Sequence, residues 1–192
     1  MIHRLRLERY LSAGLLAGCL LLAGCAAVPR TAPVPELTTL PASAPHTQRL
    51  VFEHDGERHE LLAVLSHDQR VLRMALLSPQ GQRLLTLEQD AKGARFLPGA
   101  VFDPPFSAQW LAERLSWSLW PVEQLAHAFR GSSWSVQQHP QGHDIYYRKQ
   151  LVASITDTGH CHVVDDVQAG YRLYRTPVQP NASHDELPCP AP

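Results

Sequence analysis

From residue 48 onward, apolar and polar positions alternate in short runs separated by turn-forming residues. Gln48–His54, Arg58–Ser66, Val71–Leu77 and Gln82–Gln89 each have the length of a strand. Asp55-Gly56, His67-Asp68-Gln69, Ser78-Pro79-Gln80-Gly81 and Lys92-Gly93 punctuate them. Such spacing predicts an antiparallel meander. Residues two apart share a strand face, so Leu72, Met74 and Leu76 point one way while Val71, Arg73, Ala75 and Leu77 point the other. Both faces carry apolar groups, which implies that something covers or fills the concave side of the sheet.

The period changes near residue 106. Ser107 reads as a helix N-cap, with Phe106 placed to staple against Leu111. Leu111, Leu115 and Leu119 then recur at helical spacing, on a stripe broadened by Trp110 and Trp117. Pro121 ends this helix or starts the next, whose stripe is Val122, Leu125, Ala126 and Phe129, with Gly131 as a C-cap. Strand periodicity returns over Ser133–Gln138, Asp144–Lys149, Leu151–Thr156, His160–Val164 and Tyr171–Arg175. The expected class is therefore α+β, with about four strands, two helices and about five strands. A sheet of this size has edges to hide. The simplest packing curls it into an incomplete β-barrel, with the two central helices inside or across the concave face.

The first thirty residues follow another rule. Arg4, Arg6 and Arg9 make a basic start, and Tyr10–Ala23 carries no charge and is mostly Leu, Ala and Gly. That order is the one found in secretory signal peptides. A permanent span needs about 20 predominantly apolar residues, and this run ends sooner, at Leu22-Ala23-Gly24-Cys25. Those four residues look like a bacterial lipobox, in which the peptide is cut before the cysteine and acyl chains are attached to it. Leu16-Ala17-Gly18-Cys19 has the same form but would leave too short an apolar stretch, so Cys25 is the expected lipidation site. Several acyl chains anchor stably where one is marginal. Ala26 after the cysteine favours the outer membrane, facing the periplasm.

Processing would leave 168 residues and remove three arginines and one glutamate. From the 17 basic and 18 acidic groups of the whole chain, 14 and 17 remain, a formal charge of −3. No positive field is present to hold nucleic acid. Five prolines between residues 26 and 47 suggest that residues 25–47 form the lipidated cysteine and an extended tether. A single domain is expected over 48–176, followed by a Pro-rich polar tail over 177–192. Export permits a disulfide between the two remaining cysteines, Cys161 and Cys189.

The main candidate site is aromatic: Phe102, Phe106, Trp110, Trp117, Trp120, Phe129 and Trp134. These side chains either line an apolar cavity or form ordinary core, and both readings stand. His160 and His162 share a strand face while Cys161 points away, and two ligands do not make a metal site. No G-x-S-x-G elbow, Gly-rich phosphate loop or Cys-x-x-Cys is present, so neither an enzyme nor a cofactor is expected. Asp165-Asp166 reads as a charged turn.

Two segments carry a resemblance, Leu76-Leu77-Ser78-Pro79-Gln80-Gly81-Gln82-Arg83-Leu84-Leu85-Thr86-Leu87 and Leu115-Ser116-Trp117-Ser118-Leu119-Trp120-Pro121-Val122-Glu123. Over about Val51 to Arg175, with the lipobox, the chain resembles a proteobacterial lipoprotein family of unknown function. Its members are often encoded among aryl-polyene or fatty-acid-synthesis genes. More distantly, the layout is similar to LolB, the outer-membrane lipoprotein receptor, and to its periplasmic carrier LolA. That likeness implies an incomplete barrel whose apolar cavity takes acyl chains. LolB carries a protruding leucine in a turn. Here Pro79-Gln80-Gly81 puts an amide there, which cannot probe a bilayer, so the likeness implies acyl binding rather than lipoprotein insertion. The expectation is a non-enzymatic outer-membrane lipoprotein that receives an acylated or aryl-polyene-type lipid, with a LolA-like carrier as partner. The alternative is a structural or assembly lipoprotein with a self-filled core that binds a protein.

Overall fold

The computed structural model describes residues 31–159, 161–178 and 189. The expected signal peptide, Cys25, His160 and most of the tail lie outside the described residues.

Tight turns build the sheet. Asp55 and Gly56 both take left-handed φ, 51° and 79°, joining Ser43–His54 (β1) to Glu57–His67 (β2). That is the type I′ geometry that matches the twist of paired strands. At the next turn Asp68 Oδ1 accepts the Arg70 and Val71 amides, which leads the chain into Leu72–Leu77 (β3). Arg83–Asp90 (β4) and Gly93–Phe96 (β5) follow, with Asp90 Oδ1 holding the Lys92 amide between them.

The helices come next, Ala108–Leu119 (α1) and Val122–Ala128 (α2). Ser107 caps α1, its Oγ accepting from the Trp110 amide at 3.1 Å. Phe106 stacks on Trp110, with ring centres 5.1 Å apart. Pro121 is the N-cap of α2 and Phe129 its C-cap, and Gly131 turns the chain away at φ 75°. The second run of strands is Trp134–His139 (β6), Gly142–Tyr147 (β7), Gln150–Asp157 (β8), His162–Asp166 (β9) and Tyr171–Pro177 (β10).

The strand expected over Asp144–Lys149 stops at Tyr147, because Arg148 and Lys149 form a two-residue turn at φ 48° and 68°. Neither is Gly, Asn or Asp, the residues that tolerate this region, so composition hid the turn.

All ten strands form one antiparallel sheet in the order β5-β4-β3-β2-β1-β10-β9-β8-β7-β6. β1 lies in the middle, with Leu50 opposite Leu61 of β2 and Arg175 of β10. β5 and β6 are the two edges and do not pair with each other. The expectation of a curled, LolB-like incomplete barrel is therefore corrected: the sheet is open. Between its edges the chain runs through the helices, α1 packing on β4 and β5 and α2 on β6. The apolar face is hidden beneath helices, so the sheet does not need to close upon itself.

Under the helices lie Leu50, Leu65, Leu72, Leu85, Leu87 and Ile145, all buried. The opposite face is largely polar. Arg73 bonds Glu88 across the strands at 2.6 Å, and Glu88 also meets Arg95 of β5. Beneath Tyr174 and Val51 on a small second cluster, Cys161 and Cys189 form a disulfide with Cα atoms 5.5 Å apart. This holds residue 189 against the domain.

The tether reading also changes for its described part. Ala32, Leu37 and Leu40 are buried in the main core, and β1 starts at Ser43. Trp120 Nε1 donates to the Glu36 carbonyl at 3.3 Å and to Thr39 Oγ1 at 3.0 Å. Five prolines suggested an extended tether, but the few apolar residues among them find a groove beside α1.

Lys149→Gly should raise stability by about 1 kcal/mol in urea unfolding, since glycine adopts the left-handed region without the side-chain penalty.

Candidate functional site

Helix α1 presents two adjacent stripes to the sheet. One is Trp110, Arg114 and Trp117; the other is Leu111, Leu115 and Ser118. Each follows the i, i+4, i+7 spacing of a single helix face.

The first stripe centres on a charge. Arg114 Nε donates to Asp166 Oδ2 at 2.9 Å, and its Nη1 to Glu113 Oε2 at 3.3 Å. The guanidinium lies between the Trp110 and Trp117 rings, 4.4 and 4.6 Å from their centres. Asp166, at the end of β9, is fully buried, and its Oδ1 takes the Ala169 amide at 2.8 Å. Tyr171 lies within bonding reach of both charges. Burial, then the Asp166 carboxylate, raises its phenol pKa above the ordinary value.

Asp165-Asp166 is thus not a charged turn. The two residues face opposite sides, Asp165 pairing with the half-exposed Arg172 and Asp166 with the buried Arg114.

Buried beside this pair, Glu113 has its carboxyl pKa raised, chiefly by burial, against the opposing effects of the Ala32 backbone, Arg114 and Gln109. The C-terminal carbonyls of α1, orphans in any helix, are met from the sheet. His143 on β7 donates Nε2–H to the Trp117 carbonyl at 2.8 Å. Burial lowers the pKa of this imidazole, favouring the neutral ring that makes that bond. Arg175 on β10 donates to the Ser118 carbonyl at 3.4 Å.

The second stripe does not meet the sheet closely. Between Leu111, Leu115 and Ser118 and the inner face of β1, β2, β3 and β10 lies a cavity of about 190 Å³. That is more than ten times the ~10–15 Å³ that one water requires by the same measure. Leu50, Leu61, Ala63, Leu65, Met74 and Leu76 form its apolar floor. Phe52, Phe106, Trp110 and Tyr171 gather at one end, Trp110 and Tyr171 with centres 5.6 Å apart. Gln48, Ser118 and Arg175 are at the other, about 12 Å away along the helix.

The seven aromatic candidates divide. Phe102, Phe106 and Trp110 line the cavity, and Phe102 is 42% exposed, so the wall reaches solvent through an apolar ring. Trp117, Phe129 and Trp134 close on one another instead, Trp134 lying 6.0 Å from Trp117 and 6.2 Å from Phe129. Trp120 is buried against the N-terminal segment. These four are core.

Sequence reading missed Arg114, Asp166, Gln48 and Arg175. For Gln48, Asp166 and Arg175 the signal was parity, a polar residue on an otherwise inward strand face, as Arg175 is beside Tyr171 and Leu173; Arg114 interrupts the helical stripe of Trp110 and Trp117.

In the motif His160-Cys161-His162, Cys161 is in the disulfide and His162 lies 3.4 Å from Asp157. Among the described residues no group of three or more His, Cys, Asp or Glu could hold a metal. No helix among them is long and apolar enough to cross a membrane.

An open antiparallel sheet covered by two helices, with an apolar cavity under the first, defines the class. The chain belongs to the family described as "Protein of unknown function (DUF3261)", whose model matches residues 46–179. That span takes in the cavity and both helices. No curated protein matches the chain.

Three substitutions test these roles. Asp166→Ala should cost about 3–5 kcal/mol in urea unfolding, because it leaves Arg114 buried without its main partner. Asp165→Ala, on the wet face, should cost at most about 1 kcal/mol. Glu113→Gln should match the wild type in acid and become progressively more stable than it as pH rises above 4.5, the ordinary glutamate value. The raised pKa means that the folded wild type holds this proton after the unfolded chain has lost it, so the wild type loses stability through that window. Unfolding curves at several pH values read the difference directly.

Proposed function

We propose that this chain is an outer-membrane lipoprotein that receives an acylated or aryl-polyene-type lipid in the cavity under α1 and assists its passage to the membrane. The observation that carries this reading is the cavity itself: an almost wholly apolar space with an aromatic end, left between a helix and a sheet that are otherwise closely packed. A hydrocarbon or conjugated chain suits such walls, and each methylene moved there from water contributes about 0.8 kcal/mol. Transfer needs no catalysis, since burial in a bilayer can draw the chain onward.

Three sequence features support the address and the cargo. The basic start, apolar run and Leu22-Ala23-Gly24-Cys25 fit an exported chain acylated at Cys25. The resemblance to lipoproteins encoded among aryl-polyene and fatty-acid-synthesis genes suggests a long unsaturated or saturated chain. Phe102 offers an apolar lip by which a chain could enter from a membrane or from a periplasmic lipid carrier.

The anchor would hold the domain close to the bilayer. Only seven residue steps separate Cys25 from buried Ala32, a fully extended reach of about 25 Å.

Titration with a fluorescent polyene fatty acid, such as parinaric acid, tests the reading. Wild-type protein should bind it saturably. Ala63→Phe, which puts a ring into the cavity floor, should weaken binding at least about tenfold while the domain stays folded. Absence of binding to the wild type, or equal binding by a folded Ala63→Phe variant, would defeat the proposal and favour a lipoprotein that binds a protein partner instead.

A further inference from the structure

The two arginines that line the cavity are in different electrical states. Arg114 is matched: it touches Asp166 and Glu113, and two indole faces cover its guanidinium. Arg175 is not. Among the described residues no carboxylate comes within ion-pair distance of it. Among the described residues its side-chain hydrogen bond goes to the Ser118 carbonyl, from Nη2, and its Nη1 is buried with no hydrogen-bond partner. Burial lowers its pKa, opposed by Asp157, which is itself engaged with His162. Capping the C-terminus of α1 accounts for one donor and favours a cation there. It leaves Nη1, which is buried, unanswered. A buried charge without a partner is costly, and a structure that keeps one has a use for it.

The surroundings narrow that use. Gln48 lies on the neighbouring strand, diagonal to Arg175 in the β1–β10 register, and shares the cavity wall with it. Ser118 completes the polar end. Along the next ~12 Å of the helix the lining is apolar apart from Arg114, which Asp166 and Glu113 already match, up to the aromatic cluster around Trp110 and Tyr171. A site with one cationic end, neutral hydrogen-bonding neighbours and one narrow apolar barrel of space matches a ligand with a single chain and a single small anionic head.

We propose that Arg175 binds the carboxylate of a single-chain carboxylic acid, through Nη1 and with Gln48 beside it, while the chain extends under α1 toward Trp110. The guanidinium fork suits the planar carboxylate. This rests on the apolar-chain reading above and adds to it the head-group chemistry.

Five measurements on the purified protein separate the possibilities: calorimetric binding of dodecanoate, dodecanol and dodecyl phosphate to the wild type at pH 8, and of the first two to Arg175→Met. The wild type should bind dodecanoate about ten- to a hundredfold more tightly than dodecanol, the usual worth of a desolvated charge-assisted contact. Arg175→Met, which keeps the side-chain length and apolar stem, should bring dodecanoate down to the level of dodecanol and leave dodecanol itself unchanged. Equal affinity for acid and alcohol in the wild type would overturn the carboxylate assignment and leave apolar-chain binding standing. So would tighter binding of dodecyl phosphate, which would make the head a phosphate. Binding of none of the three to the wild type would overturn both readings together. The wild-type comparison needs no substitution, so the test stands even if Arg175→Met fails to fold.

Discussion

One buried ion pair decides how helix and sheet meet. Arg114 projects from the middle of α1 into a stack of aromatic and aliphatic side chains, where a lone guanidinium would be prohibitive. It is tolerated because Asp166 waits at the end of β9 with no solvent contact and a second hydrogen bond to its own turn. Direction matters here more than strength. A hydrophobic contact would let α1 slide or roll on the sheet; a bond of 2.9 Å between fixed atoms sets its height and rotation. The indole rings above and below Arg114 belong to the same helix, so the cation also locks their rotamers.

The rotation fixed in this way creates the cavity. With Trp110, Arg114 and Trp117 pressed toward the sheet, the neighbouring stripe of Leu111, Leu115 and Ser118 is left facing a floor it does not reach. On the β6 side the large rings of Trp117, Phe129, Trp134 and Tyr147 fill the gap. On the β1–β3 side the floor includes Ala63 and slender aliphatic chains, and the gap stays open. An open sheet makes this asymmetry possible. α1 and α2 must travel from one edge to the other, so a single layer of two short helices covers a ten-stranded face, and it cannot pack equally well everywhere.

How much of this was legible depended on residue type. Strand periodicity and Gly- or Asp-containing turns located most of the sheet, and Ser107 with the Leu stripe located α1. β5 escaped because Gly-Ala-Arg-Phe is too short to show a period. The Arg148-Lys149 turn escaped because neither residue announces a left-handed φ. Closure was the larger misreading. Apolar groups on both faces of β3 suggested a sheet that wraps its contents, but half-buried Ala75 and Leu77 sit beside a network of Arg73, Glu88 and Arg95 that keeps that face wet. Counting aromatic residues found the helix layer but not the cavity. Which rings line it and which plug the core depends on the rotation of α1, and therefore on Arg114 and Asp166, 52 residues apart in the chain.

The N-terminal segment adds the last constraint. A proline-rich stretch ordinarily separates an anchor from a domain, yet here Ala32, Leu37 and Leu40 are part of the core, and Trp120 holds Glu36 and Thr39 at the C-terminal end of α1. Glu113 reaches the Ala32 backbone from the same helix. The segment that leads to Cys25 is therefore fastened to the very helix that roofs the cavity. The fastening and the rotation of α1 are linked through neighbouring residues: Glu113 reaches Ala32 of the segment, and Arg114 beside it reaches Asp166 of the sheet.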